Sequence, residues 1–193
     1  MKRMVMIFFA LASTLIPAYA QVTTQSNCMI TVRDIRLGMS LQQLLALFPA
    51  SSKRKEMADA LERAKATTGN ETVYLVFNPA TDGGSQRFAG VDSVMAGVYK
   101  GQVVDFTVVY VGPTWNTVDE WVEKLRESFG LPGARGWMAG PSENPSKILK
   151  CRGAEIEAGI QGGSGSIRVR NTENMGMDER KESGEQKKRE FKP

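Results

Sequence analysis

Three sets of side chains in this sequence have types and spacings that could do chemistry: the cysteines Cys28 and Cys151, the carboxylates Glu155 and Glu157, and the neighbours Ser146 and Lys147. Histidine is absent, which removes the commonest general base, most nucleophile triads and the usual zinc ligand together. Glu155 and Glu157 fall on one face of a strand, as a glycosidase-like acid/base pair would require across a cleft. The hairpin that contains them argues for a plainer role. Turning about Gly162-Gly163 sets Glu155 opposite Arg170 and Glu157 opposite Arg168, with Ile156 facing Val169 and Ala158 facing Ile167. Opposite charges on the wet face and apolar pairs on the dry one are ordinary sheet chemistry. The run QGGSGS (residues 161–166) has the glycines of a phosphate-cradling loop but neither the following helix nor the lysine such loops use. No loop carries calcium-ligand spacing. The expectation is therefore no catalytic residue, no metal and no cofactor. A hydrolase using carboxylates or the Ser146/Lys147 pair is the rival reading.

A different kind of candidate lies at Trp137 and Met138. They sit in the Gly/Pro-rich stretch GARGWMAGPSENPS, residues 133–146. A large aromatic side chain in such a loop either packs back onto the core or is offered to a partner. The two residues are the candidate partner contact.

The compartment is expected from the first residues. MKRMVMIFFALASTLIPAYA opens with Lys2 and Arg3, runs apolar over 4–16 apart from Ser13 and Thr14, and ends in Ala18-Tyr19-Ala20. That is the layout of a secretory signal peptide cleaved after Ala20. The apolar run is shorter than the ~20 residues of a membrane-spanning helix, and no later stretch could span a bilayer. The expected location is periplasmic or secreted. In that setting an even pair of cysteines predicts a Cys28–Cys151 disulfide, worth roughly 4–5 kcal/mol in the chain-entropy account. Cleavage leaves 23 basic against 21 acidic residues, a net charge of +2. That excess is too small to predict a nucleic-acid partner.

The elements that must position these residues are legible in the spacing. In DIRLGMSLQQLLALFP (34–49), Ser40 is a helix cap with Gln43 completing a capping box, and Met39 and Leu44 form the hydrophobic staple. Leu41, Leu44, Leu45 and Phe48 follow at helical spacing, and Pro49 ends the run. A second helix is expected over Lys53–Thr68, its buried stripe Met57, Ala60, Leu61 and Ala64, with Gly69 as its stop. A third begins at Thr117, with Glu120 completing a second capping box and Val118, Trp121, Val122, Leu125 and Phe129 facing inward. Strands are expected at Met29–Val32, Thr72–Asn78, on both sides of a Lys100-Gly101 turn, and at 147–152, 154–160 and 165–170. Pairing about Lys100-Gly101 places Gly97, Met95, Ser93 and Val91 opposite Val104, Phe106, Val108 and Tyr110, on the face toward the helices.

The two capped helix starts, Ser40-Leu-Gln-Gln-Leu-Leu and Thr117-Val-Asp-Glu-Trp-Val, share one pattern at an offset of 77 residues. Each precedes three strand candidates. The reading is an α+β domain over 21–170, helices packed on an antiparallel sheet, with candidate tandem repeats 34–111 and 112–170. Residues 171–193 carry six acidic and six basic side chains and are expected to be a charged, flexible tail.

IRLGMSLQQLLALFP, the strand-rich middle and TVDEWVEKLRESFGLP resemble small exported bacterial proteins of the β-lactamase-inhibitor-protein-like fold. The outer-membrane assembly lipoproteins of the SmpA/BamE type share that architecture. Gly38-Met39-Ser40 and Leu44 match the family's G-M-[ST]-x-x-x-[LV] helix start. There is no lipobox cysteine, so the lipoproteins' anchoring role is not implied. The resemblance implies protein–protein interaction rather than catalysis. The leading expectation is a non-catalytic module binding another envelope or secreted protein through its sheet face or loops. An envelope-structural role for the tail is the third alternative.

Overall fold

Gly38 takes a left-handed backbone conformation (φ 75°) that a residue with a Cβ resists, and this turns the chain onto the sheet. Its N–H donates to Val103 O (2.8 Å), and Met39 O accepts from Val103 N (2.9 Å). Met39 is thereby buried, and Ser40 is placed to cap. The Ser40 hydroxyl accepts from Gln43 N and the Gln43 side chain accepts from Ser40 N, the complete capping box. The Gly-Met-Ser run is thus both a helix start and a backbone dock on a strand.

The computed structural model describes residues 30–66, 71–141 and 144–173. Among these, the elements in chain order are α1 (Leu41–Leu47), α2 (Lys55–Ala66), β1 (Val73–Phe77), β2 (Val91–Tyr99), β3 (Gln102–Tyr110), α3 (Val118–Phe129), β4 (Met138–Ala139), β5 (Ser146–Cys151), β6 (Ala154–Gln161) and β7 (Ser164–Asn171). The strands form one sheet of seven in the order β1-β2-β3-β7-β6-β5-β4, every neighbouring pair antiparallel. The architecture is α+β, with helices on an antiparallel sheet. Two meanders, β1-β2-β3 and β5-β6-β7, meet where β3 pairs with β7. The first follows α1 and α2 and the second follows α3; the arrangement by itself does not make them copies of one ancestral unit.

The helices all cover one face. Phe48, the C-cap of α1, stacks on Phe77 of β1 and on Phe88, with ring centroids 4.4 and 4.7 Å apart. The α2 stripe Met57, Ala60, Leu61 and Ala64 is buried as its spacing requires. From α3, Trp121 lies on Gly165 of β7. A Cβ there would stand 2.8 Å from the indole, so only glycine permits the approach. Leu75, Phe106, Ile156 and Ile167 complete the core from the sheet side.

Several sequence expectations need correction. Met29–Val32 is not a strand among the described residues. Met29 lies outside them, and Val32 forms only an isolated bridge with Ile35 around a tight turn at Arg33-Asp34. The stretch before α2 is a 3₁₀ turn (Ser51–Lys53), and α2 is described to Ala66, which leaves Gly69 outside. In α3 the Thr117 hydroxyl accepts from Glu120 N, but the Glu120 carboxylate accepts from Asn116 N, one residue earlier than a capping box requires. The 133–146 stretch holds a 3₁₀ turn (Ala134–Gly136) and the short strand β4. Of the expected tail, 171–173 are described and the remainder lies outside.

The β2–β3 register is the most consequential correction. Tyr99 pairs with Gln102 and Val98 with Val103, as the Lys100-Gly101 turn dictates, but a bulge then sets Gly97 opposite Asp105 and Ala96 opposite Phe106. The extra residue, Val104 on β3, moves the pairs from Gly97/Asp105 to Ser93/Val109 by one. A second irregularity between Val91 and Ser93 restores Val91 opposite Tyr110, the pairing expected. Val94, Ala96 and Val98 consequently face the helices, and Met95, Gly97 and Ser93 turn to the opposite face. Phe106 and Val108 face the helices, as expected.

Candidate functional site: the open face of the sheet

Opposite the helices, the register aligns side chains in rows across the strands. One row runs Tyr74, Gly97, Asp105, Arg170, Glu155, Lys150. The next runs Val76, Met95, Thr107, Arg168, Glu157, Ile148. Its ends are apolar and its middle is charged. Tyr74 and Val76 are 45 % and 53 % exposed at one edge, and Met138 is 49 % exposed at the other. Ile148 is buried yet stands outside the main core cluster, because it packs on this second face.

The charged middle is internally compensated. Arg168 Nε donates to both Asp105 carboxylate oxygens, at 3.1 and 3.2 Å, and its Nη2 closes on Oδ2 as well. Arg170 Nη2 lies 3.0 Å from Glu155 and 3.2 Å from Glu157. Hydrogen bonding to Asp105 holds the Arg168 guanidinium above its ordinary range, against the opposing effect of burial. The β6–β7 register is the one expected, with Glu155 opposite Arg170 and Glu157 opposite Arg168. The ion pairing differs: Arg168 reaches across the seam to Asp105, and Arg170 takes both glutamates. Glu155 is buried rather than wet. Arg170 Nη2 donates to Glu157 Oε2 and pairs with Glu155, so one guanidinium engages both carboxylates of the candidate pair.

Ser146 and Lys147 do not form a catalytic pair. Successive residues of a strand point to opposite faces. Lys147 Nζ pairs with Asp119 of α3 on the helix side, so Ser146 belongs to the open face. Its hydroxyl is buried there without a hydrogen-bond partner, as are Thr107 Oγ1 and Arg170 Nε. Among the described residues, no three His, Cys, Asp or Glu side chains gather as a metal site. No described helix is long and apolar enough to cross a membrane.

Trp137, half of the candidate partner contact, is buried in the core (6 % exposed), and its Nε1 donates to Pro132 O at 3.0 Å. The indole N–H finds its partner in the chain's own loop. Met138, the other half, points out beside Ile148, its register partner. Cys151 is buried at the end of β5. Cys28 lies outside the described residues, and no described cysteine is free. Sequence reasoning missed Tyr74, Val76, Asp105 and Ile148, because the face they occupy is decided by the β2–β3 bulge and by cross-strand register.

No protein-family model matches the chain, and neither a curated protein nor a solved structure is significantly similar to it.

Proposed function

We propose that this is an exported, non-catalytic module that binds another envelope or secreted protein through the open face of its sheet. One observation carries the reading: a charge ladder neutralised within itself, flanked at both edges by exposed apolar side chains. A neutral face with apolar anchors favours a protein partner over a polyanion, which would need uncompensated cations. The resemblance to the β-lactamase-inhibitor-protein-like and SmpA/BamE-type proteins points the same way. Export follows from the Lys2-Arg3 n-region, the apolar run and Ala18-Tyr19-Ala20. A Cys28–Cys151 disulfide follows from export, with non-reducing mass spectrometry as its check: two free thiols would remove it.

The reading is tested with a photo-crosslinking residue at position 76, at 138, and at 56 on the exposed side of α2. In envelope extract, positions 76 and 138 are expected to capture the same protein while position 56 captures nothing comparable. Adducts from position 56 alone, or none from the sheet face, would reject the open face as the binding surface.

A further inference from the structure

A second site, on the helix side of the sheet and so independent of that proposal, lies where the chain passes from β3 to α3. The connection leaves β3 through Val111, Gly112 and Pro113 and is tied back by Trp115 N donating to Gly163 O (2.9 Å). This stands the Trp115 ring 5.3 Å from Trp121. Trp121 meets Tyr110 edge-on at 5.2 Å and is fixed by its Nε1 donating to Ser166 O at 2.7 Å. Leu125 and Phe129 follow Trp121 along the same stripe of α3. Together they wall a hollow of about 400 Å³, within the volume range of small-molecule sites.

The polar groups at this hollow are donors. Arg33 and Lys124 line it, and no acidic side chain does. Arg33 arrives from the opposite end of the chain, on a turn closed by reciprocal 2.9 Å hydrogen bonds between Val32 and Ile35. Both Val32 and Ile35 are fully buried, so the turn that carries the guanidinium is anchored. Arg33 Nη2 donates to Ala89 O at 3.1 Å, which leaves most of its five N–H donors available. Burial pushes the Tyr110 hydroxyl above its ordinary value while the Arg33 charge opposes the rise, so at neutral pH the hydroxyl is a proton donor. Lys124 is shared with Glu127 at 3.4 Å and is the lesser cation of the two.

We infer that this hollow binds a small amphipathic carboxylate, its headgroup held by Arg33 and the Tyr110 hydroxyl and its apolar body lying on the Trp115 and Phe129 rings. Aromatic walls alone would also accept a cation, but the guanidinium and ammonium at the rim select against one. The Asp119, Glu120 and Glu123 carboxylates line the neighbouring hollow beyond Trp115 and Lys124, outside this one. Aromatic and aliphatic acids share the required chemistry, and both are used as probes.

The test is titration of the purified protein with 2-naphthoate and with octanoate, followed by tryptophan fluorescence and calorimetry, against the uncharged 2-naphthamide and octan-1-ol. Saturable binding of at least one acid is expected, with its neutral counterpart about tenfold weaker or worse, the size of one charge-assisted contact. Arg33→Gln is expected to abolish that preference without lowering the melting temperature. Lys124→Gln should weaken binding by a smaller factor. Ser128→Leu, which fills the hollow from the exposed surface of α3, should block both acids. Equal binding of acid and neutral analogue, unaltered binding by the folded Arg33→Gln protein, or no saturable binding of either acid would each overturn the inference.

Discussion

Arg168 of β7 grips Asp105 of β3 across the seam where the two meanders of the sheet join. The guanidinium makes hydrogen bonds to both carboxylate oxygens. The pair is diagonal in the ladder, because Asp105 stands in register with Arg170 and Arg168 with Thr107. It is therefore a clip between the halves as well as part of the open face.

Asp105→Ala should leave Arg168 without its carboxylate at a partly buried site. Breaking a fully buried pair typically costs 3–5 kcal/mol. Arg168 keeps 31 % of its side chain exposed, so solvent takes up part of the charge and a loss of about 2 kcal/mol is expected. The double change Asp105→Leu with Arg168→Met should recover most of it. Urea denaturation measures both, and a single-mutant loss below about 0.5 kcal/mol would mean the clip contributes nothing.

Trp137 and Met138 are neighbours with opposite fates. Trp137→Ala should destabilise by about 3–5 kcal/mol, through the cavity it leaves and the lost hydrogen bond to Pro132 O. Met138→Ala should change stability by less than about 0.5 kcal/mol while weakening capture of a partner on the open face. Thermal melting together with crosslinking from position 76 separates the two; comparable stability losses would contradict the burial difference.

Gly165 admits the Trp121 indole. Gly165→Ala should cost about 1–3 kcal/mol, because the new methyl meets aromatic carbons of a buried ring that is hydrogen-bonded in place. Trp121→Leu in the same chain should make the alanine nearly neutral. A double-mutant cycle reads this coupling, and simple additivity would show that the ring moves aside freely.

Tyr110 gives a pH dependence with a definite sign. Burial raises its hydroxyl above the ordinary value of 10.0, so the folded state keeps the proton longer than the unfolded one. The corresponding stabilisation is complete below about pH 10 and is lost as pH climbs from there through the folded-state value. Arg33 works against the rise, so Arg33→Gln should move the Tyr110 transition further up. Phenolate absorbance of the wild type, Tyr110→Phe and Arg33→Gln proteins reads the shift. A downward move in Arg33→Gln would show that the guanidinium does not act on this ring.

Local pattern made much of this fold readable. Ser40 with Gln43, and Thr117 with the N–H of Glu120, are hydrogen bonds between residues three apart, and the α2 stripe repeats every turn. Gly162-Gly163 supplies two left-handed residues for a two-residue turn, and that turn fixes the whole β6–β7 register. Such features are decided within one element or between adjacent ones, so the chain spells them out.

Tertiary structure decided the rest, because it selects among partners that the sequence leaves equivalent. The extra residue Val104 in β3, opposite the Gly97–Val98 step, sets Ala96 rather than Met95 opposite the inward Phe106, and nothing in the alternation of residues marks where it falls. Arg168 could pair with Glu157 opposite it or with Asp105 across the seam; the joining of β3 to β7 brings the second within reach. The hollow at Trp115 gathers Arg33, Tyr110 and Phe129 from a turn, a strand and a helix far apart in the chain. Their proximity comes from packing, which no spacing in the sequence records.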